Sequence, residues 1–167
     1  NSARFAHEAA GVMAANGVRV RIFDALRPTP ELSFAVIHYG AQAGINITAS
    51  HNPREYNGYK VYWSDGAQLP PQHAAAVADK MSQLDLFKDV QRMDFDEAVS
   101  QGLITVIGAE TDEAFLAEVM KMSVNSDIVR EVADDFRIVY TPFHGAGYKL
   151  VPEALRRLGV KHLYPEP

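Results

Sequence analysis

At 167 residues, 47% apolar and without cysteine, the chain is long enough for one packed domain, or one domain and the start of another, and it excludes disulfide frameworks and cysteine-bound metal sites. A formal net charge of -5 argues against nucleic-acid binding, which needs a basic surface over phosphates, but leaves room for a small anion held by local amides and one or two cations. The first residues lack the charged-then-apolar layout of a signal peptide and no apolar run reaches membrane-spanning length, so a cytoplasmic protein without a membrane partner is expected.

In chain order, Ser2 is placed to cap a helix whose apolar side is Phe5, Ala9, Val12 and Met13, with a left-handed stop at Asn16-Gly17. A strand of alternating residues follows over 18–23. Thr29 caps a second helix with Pro30 at its first position and Leu32, Val36 and Tyr39 at helical spacing. Residues 44–49 and 59–63 read as two strands framing the polar loop 50–58, and Asn57-Gly58, both tolerant of positive φ, predicts a turn that folds the second strand back antiparallel. Pro70-Pro71 opens a third helix carrying Ala74, Val77, Ala78 and Met81, and an irregular polar stretch runs to about Ser100. Residues 103–107 are strand-like, Thr111 and Asp112 begin a helix with Phe115, Val119 and Met122, and a short helix spans about 127–133. Residues 136–140 read as a buried strand. A glycine-containing loop over 141–147, a helix over 148–158 stopped by Gly159, and a strand over 162–164 complete the opening of a parallel βαβ unit. The expectation is an α/β protein with a mixed sheet flanked by helices over 1–134, followed by the first βαβ elements of a similar, truncated second domain over 135–167.

Ser50 carries the chemistry. A serine hydroxyl is a poor nucleophile at neutral pH and needs a nearby base and a stabilising field, for which His51 and Lys60 are the candidates. Pro53 drives Asn52 toward extended geometry and Ala49 permits close backbone approach, so Ser50 is expected at a strand end with exposed amides around it. Ser50 and Lys60 lie ten residues apart, roughly 33 Å if extended, so they meet only if the chain reverses between them. An isolated Ser-His-Asn-Pro tetrad is more often an ordinary turn, and His7, His38, His73 and His162 lack partners at ligand spacing.

The stretch Gly44-Ile45-Asn46-Ile47-Thr48-Ala49-Ser50-His51-Asn52-Pro53, continuing through Glu55-Tyr56-Asn57-Gly58-Tyr59-Lys60-Val61-Tyr62, closely resembles the active-site loop of the alpha-D-phosphohexomutases. The wording of Glu55 to Lys60 and of Asp65-Gly66-Ala67-Gln68 is most similar to the bacterial phosphoglucomutase branch that includes the phosphopentomutase-type enzymes. Thr141-Pro142-Phe143-His144-Gly145-Ala146-Gly147-Tyr148-Lys149 similarly resembles the opening of that family's second domain. The likeness implies that Ser50 is a phosphoserine exchanging its phosphoryl group with a hexose phosphate through a sugar bisphosphate. It also implies that His51 and Lys60 assist proton transfer and, with Asn52, bind substrate, and that the Ser50 phosphate is one ligand of Mg2+. Glucose phosphate is the favoured substrate, with phosphomannomutase or phosphopentomutase activity as alternatives. The family's N-terminal basic glycine loop, three-aspartate metal loop, sugar-recognition loop and phosphate-binding loop are not found in these residues. Asp94-Phe95-Asp96-Glu97 and Asp134-Asp135 read instead as helix caps or solvated charge clusters. The fragment is therefore expected to need the remaining domains and to show little or no mutase turnover.

Two rivals come from other classes. A serine hydrolase fits poorly, because the nucleophile elbow needs glycines two positions either side of serine, where Thr48 and Asn52 stand. A non-catalytic sugar-phosphate-binding module retains the same fold without using the hydroxyl.

Overall fold

A computed structural model describes residues 1–53 and 55–166. The chain folds as two compact units, Asn1–Ala25 with Leu32–Ile107, and Leu26–Glu31 with Gly108–Pro167. The boundary read from the sequence near 134 lies inside the second unit.

The first unit begins with α1, Ser2–Ala15. Ser2 lies inside this helix rather than capping it: Asn1 holds the cap position without a side-chain bond, and Ser2 Oγ accepts a hydrogen bond from Asn57 Nδ2 at 3.1 Å. The expected apolar face is also displaced. Phe5 is 45% exposed, while Ala10, Gly11 and Ala14 are buried. Small residues win that face because the helix packs closely: a Cβ on Gly11 would stand 2.4 Å from the Met93 carbonyl oxygen. The chain then forms β1, Val20–Phe23, which pairs in parallel with β4, Ile104–Ile107, from Val20 opposite Ile104 to Phe23 opposite Ile107. The helix α4, Phe95–Ser100, precedes β4 where an irregular stretch is expected from sequence. Asp94 caps it, its Oδ1 accepting the amides of Asp96 and Glu97. Ala10, Ala14, Ala98 and Ile104 form the buried apolar core, flanked by Val20, Ile22, Met93, Phe95 and Leu103.

The same unit carries an antiparallel hairpin, β2 (Ala43–Thr48) and β3 (Gly58–Trp63), with Ala43 opposite Trp63 and Thr48 opposite Gly58. The helix α2, Thr29–His38, sends Leu32 and Val36 onto Gly44, where an added Cβ would meet Val36 Cγ2 at 2.6 Å. Beyond the hairpin, α3 (Pro71–Met81) follows Pro70 and buries no residue.

The second unit contains α5 (Ala109–Lys121), α6 (Ser126–Glu131), β5 (Arg137–Tyr140), a 3-10 turn at Ala146–Tyr148, α7 (Leu150–Leu158) and β6 (His162–Pro165). Strands β5 and β6 pair in parallel, and Gly159 ends α7 at φ 106°, a left-handed conformation suited to glycine. Two expectations differ. Val139 is 71% exposed, so β5 alternates between covered and open faces instead of being buried throughout. Helix α5 starts at Ala109, and Thr111 and Asp112 are buried within its first turns rather than capping it. Parallel and antiparallel pairs with flanking helices thus make a mixed α/β architecture, in three two-stranded pieces among the described residues.

Candidate active site

The hairpin places Ser50 just past the end of β2, exposed and at φ 55°. For a residue with a Cβ this left-handed conformation is costly. The sequence suggests positive φ at Asn57-Gly58, but among the described residues the non-glycine positions with positive φ are Ser50 and Phe143. Asn57 instead accepts the Gly58 amide on its own Oδ1 at 3.1 Å. The Ser50 amide donates to Thr48 Oγ1 at 2.9 Å, and the Asn52 amide donates to the Ala49 carbonyl at 3.0 Å. Two of the loop amides expected to face a ligand are therefore used inside the loop. The Ser50 hydroxyl lies 3.4 Å from His51 Nδ1, longer than a strong O–H···N bond. His51 and Asn52 are both exposed.

Strand pairing fixes the position of Lys60. It lies directly opposite Asn46, and alternation puts Lys60, Asn46 and Thr48 on one face of the hairpin. Ile45, Ile47, Tyr59 and Val61 take the other face. Lys60 is thus a diagonal neighbour of Thr48, the residue that holds the Ser50 amide, at a typical separation of about 7–8 Å. Among the described residues Lys60 makes no ion pair, which leaves its ammonium available to an anion. A shallow, mainly apolar pocket that includes Ile47 and Tyr59 of the opposite face is lined by these two with Phe5, Asn57 and Gly58.

The residues that could hold a metal here are few. Ser50, Thr48, His51 and Asn52 supply hydroxyl, imidazole and amide groups, whereas Mg2+ takes six oxygens in a near-octahedral set. Among the described residues no group of three or more His, Asp or Glu side chains is gathered at ligand spacing. The Asp94 and Asp134 clusters have other partners: Asp94 caps α4 and Asp134 receives Lys161 Nζ at 2.6 Å.

A polar cluster in the second unit escaped the sequence reading. Arg27 Nε and Nη2 donate to Asp112 Oδ1 and Oδ2 at 2.6 and 3.0 Å, a two-pronged pair, and Lys149 Nζ lies 3.0 Å from Asp112 Oδ2. Glu31 is wholly inaccessible to solvent, with Oε2 3.7 Å from Arg27 Nε and no donor to either carboxylate oxygen. Burial first, then the neighbouring Asp112 carboxylate, pushes the Glu31 pKa up to about 8. Both causes favour the protonated acid, in which Glu31 can donate toward Asp112. Burial alone would raise Asp112, but hydrogen bonds from Arg27 and Lys149 outweigh it and hold that carboxyl below its ordinary range. The only signal in sequence was Arg27 and Glu31 one helical turn apart; their partners lie about eighty and more residues away.

Among the described residues no helix is long and apolar enough to cross a membrane. Residues 1–87 match the family described as phosphoglucomutase/phosphomannomutase, alpha/beta/alpha domain I. A phosphoglucomutase of Staphylococcus saprophyticus is 36% identical over 157 residues, covering 94% of this chain and 28% of its own length. A human phosphopentomutase is 34% identical over 156 residues, covering 93% of this chain and 25% of its own. The chain therefore spans little more than a quarter of the length of these relatives. A crystal structure from Thermus thermophilus assigned as a phosphomannomutase superposes with a TM-score of 0.74 at 23% identity, over 97% of this chain and 33% of that one, a likeness of fold.

Proposed function

Because the chain belongs to the phosphoglucomutase/phosphomannomutase family, we propose that it is the nucleophile-bearing part of a sugar-phosphate mutase in which Ser50 carries the phosphoryl group. The observation that carries this reading is the Ser50 hydroxyl, exposed just past the end of β2 and 3.4 Å from an imidazole, in a hairpin whose second strand returns Lys60 opposite Asn46. As Ser50 Oγ forms its bond to phosphorus, the bond from phosphorus to a sugar oxygen breaks. The hydroxyl proton passes to His51, and the departing sugar oxygen takes up a proton to become a hydroxyl. That is the second half of the cycle. In the first, phosphorylated Ser50 gives its phosphoryl group to a free hydroxyl of a sugar monophosphate: the bond from phosphorus to Oγ breaks as the bond to the sugar oxygen forms, and the hydroxyl proton leaves for the released Oγ. The resulting bisphosphate turns over and returns its other phosphate to Ser50, leaving the isomeric monophosphate. Lys60 neutralises charge on the equatorial oxygens, and Asn52 offers an amide to the phosphate or the sugar.

Glucose phosphate is the proposed substrate, supported by the phosphoglucomutase relatives. Mannose and pentose phosphates are the alternatives. The Ser50 phosphate would be one ligand of Mg2+, which would draw charge off the transferring group, and the remaining ligands would come from outside the described residues. Residues 1–134 then serve as the family's first domain and 135–167 as the start of its second, with interconversion depending on domains beyond these.

The test is phosphoryl uptake by the purified chain from glucose 1,6-bisphosphate, read by intact mass and located by peptide sequencing. Uptake on Ser50, none in Ser50→Ala, and a loss of about 100-fold in rate in Lys60→Met are expected. Phosphate on another residue would remove Ser50 from the mechanism. No uptake even when the remaining domains are supplied would leave a sugar-phosphate-binding module.

A further inference from the structure

The Ser50 backbone raises a question that its proposed role does not answer. Glycine enters the left-handed region without penalty, but a nucleophile must have a side chain, so something outside Ser50 has to offset its conformation. Asparagine and aspartate do this with their own side chains. Ser50 Oγ is turned to His51 instead, 3.4 Å from Nδ1.

A second site in the chain identifies the agent. Phe143 has φ 51° and a hydrocarbon side chain that cannot bond to its own backbone. Its amide donates to Thr141 Oγ1 at 3.1 Å, as the Ser50 amide donates to Thr48 Oγ1 at 2.9 Å. Thr48 ends β2, and Thr141 directly follows β5. Both non-glycine residues with positive φ among those described therefore stand two positions after a threonine at the end of a strand, and both give that threonine their amide proton. Threonines at 105 and 111 lie within a strand and a helix, where the ladder or the helix takes the amides, and no left-handed residue follows them.

We infer that Thr48 is a positioning residue, whose hydroxyl accepts the Ser50 amide and thereby holds Ser50 in the left-handed turn that presents its Oγ beside His51. The cost of that conformation and the net strength of one hydrogen bond are of the same size, so the single acceptor decides which conformation is populated. This inference rests on the reading of Ser50 as the nucleophile only for its catalytic consequence; its structural half stands apart.

Thr48→Val keeps the branched shape and removes the acceptor, and Thr48→Ser restores it. In Thr48→Val the Ser50 amide should exchange with solvent about fivefold faster by NMR, the factor one ordinary hydrogen bond sustains. The Phe143 amide should be unchanged, and Thr141→Val should do the converse. Phosphoryl uptake from glucose 1,6-bisphosphate at saturation should slow by at least the same factor, with the half-saturating concentration unmoved and Thr48→Ser recovering both readouts. Unaltered Ser50 exchange in Thr48→Val, or a serine variant no better than valine, overturns the inference. If no phosphoryl group is taken up even when the remaining domains are supplied, while the exchange results hold, the nucleophile reading fails and the positioning of Ser50 survives.

Discussion

Glu31 is the residue at which burial and charge conflict most directly. Its carboxyl has no contact with solvent, its nearest cation is already engaged in two hydrogen bonds to Asp112, and burial shifts it from an ordinary 4.5 to about 8. The folded chain consequently holds this proton more tightly than the unfolded chain does. The stability so gained is complete below about pH 4.5, declines as pH rises toward 8, and is gone above it. Asp112 has the opposite sign: its lowered pKa contributes fully above its ordinary 3.8 and is lost as pH falls through the folded value. Glu31→Gln replaces the protonated acid by a neutral donor of the same shape. Denaturation midpoints followed from about pH 5 to about pH 9 should fall for the parent and stay nearly level for the variant, with the two within about 1 kcal/mol at the acid end. A parent as stable at the alkaline end as at the acid end would mean that Glu31 ionises without cost.

At the scale of elements, close approach overrides hydrophobic periodicity. Sequence reasoning gives α1 an apolar face of large residues, whereas the helix buries Ala10, Gly11 and Ala14 so that its axis can approach the backbone at Met93. Gly11→Ala sets two effects against each other. Helix propensity favours alanine by about 1 kcal/mol. The new Cβ, however, meets a backbone oxygen at 2.4 Å, which cannot rotate away, and overpacking of this kind costs about 1–3 kcal/mol. A net loss of stability is therefore expected in urea titration, and a net gain would show that α1 can shift freely. The same physics separates what was legible from what was not. The β2–β3 pair, the Gly159 stop and the β5–β6 pairing follow from alternation and from local glycine chemistry, which a sequence displays. The short helix α4 does not, because six residues are less than two turns of periodicity, and only Asp94 marked it. At the site, the apolar runs and the turn between them make readable the placement of Ser50 and His51 after one strand and of Lys60 on the strand that returns. Intrinsic tolerance points the left-handed turn to Asn57-Gly58, whereas at Ser50 the conformation is accompanied by an acceptor two residues upstream that tolerance does not reveal. Glu31 and Asp112 lie too far apart in the chain for any local pattern to join them.

The whole chain divides its stabilising interactions by chemistry as well as by position. The first unit, which bears the Ser50 hairpin, centres on Ala10, Ala14, Ala98 and Ile104, an apolar cluster with no titratable group. The second holds the Arg27, Glu31, Asp112 and Lys149 cluster, whose strength depends on pH. Perturbations aimed at one should therefore be felt there first. Hydrogen exchange read by mass spectrometry should show faster exchange in α5 and α7 as pH rises from about 6 to about 9, after correction for the intrinsic rate, with β2 and β3 little changed. Gly11→Ala should reverse the pattern, loosening α1 and β1 and sparing α5. If either perturbation releases every segment together, the chain opens as one cooperative body and unit-by-unit energetics do not apply. The division has a functional corollary. Phosphoryl uptake by Ser50 takes place in the first unit, so its pH profile should be the same in the parent and in Glu31→Gln even where their stabilities part. A profile that moves with Glu31 would show the hairpin responding to a charge held in the other unit.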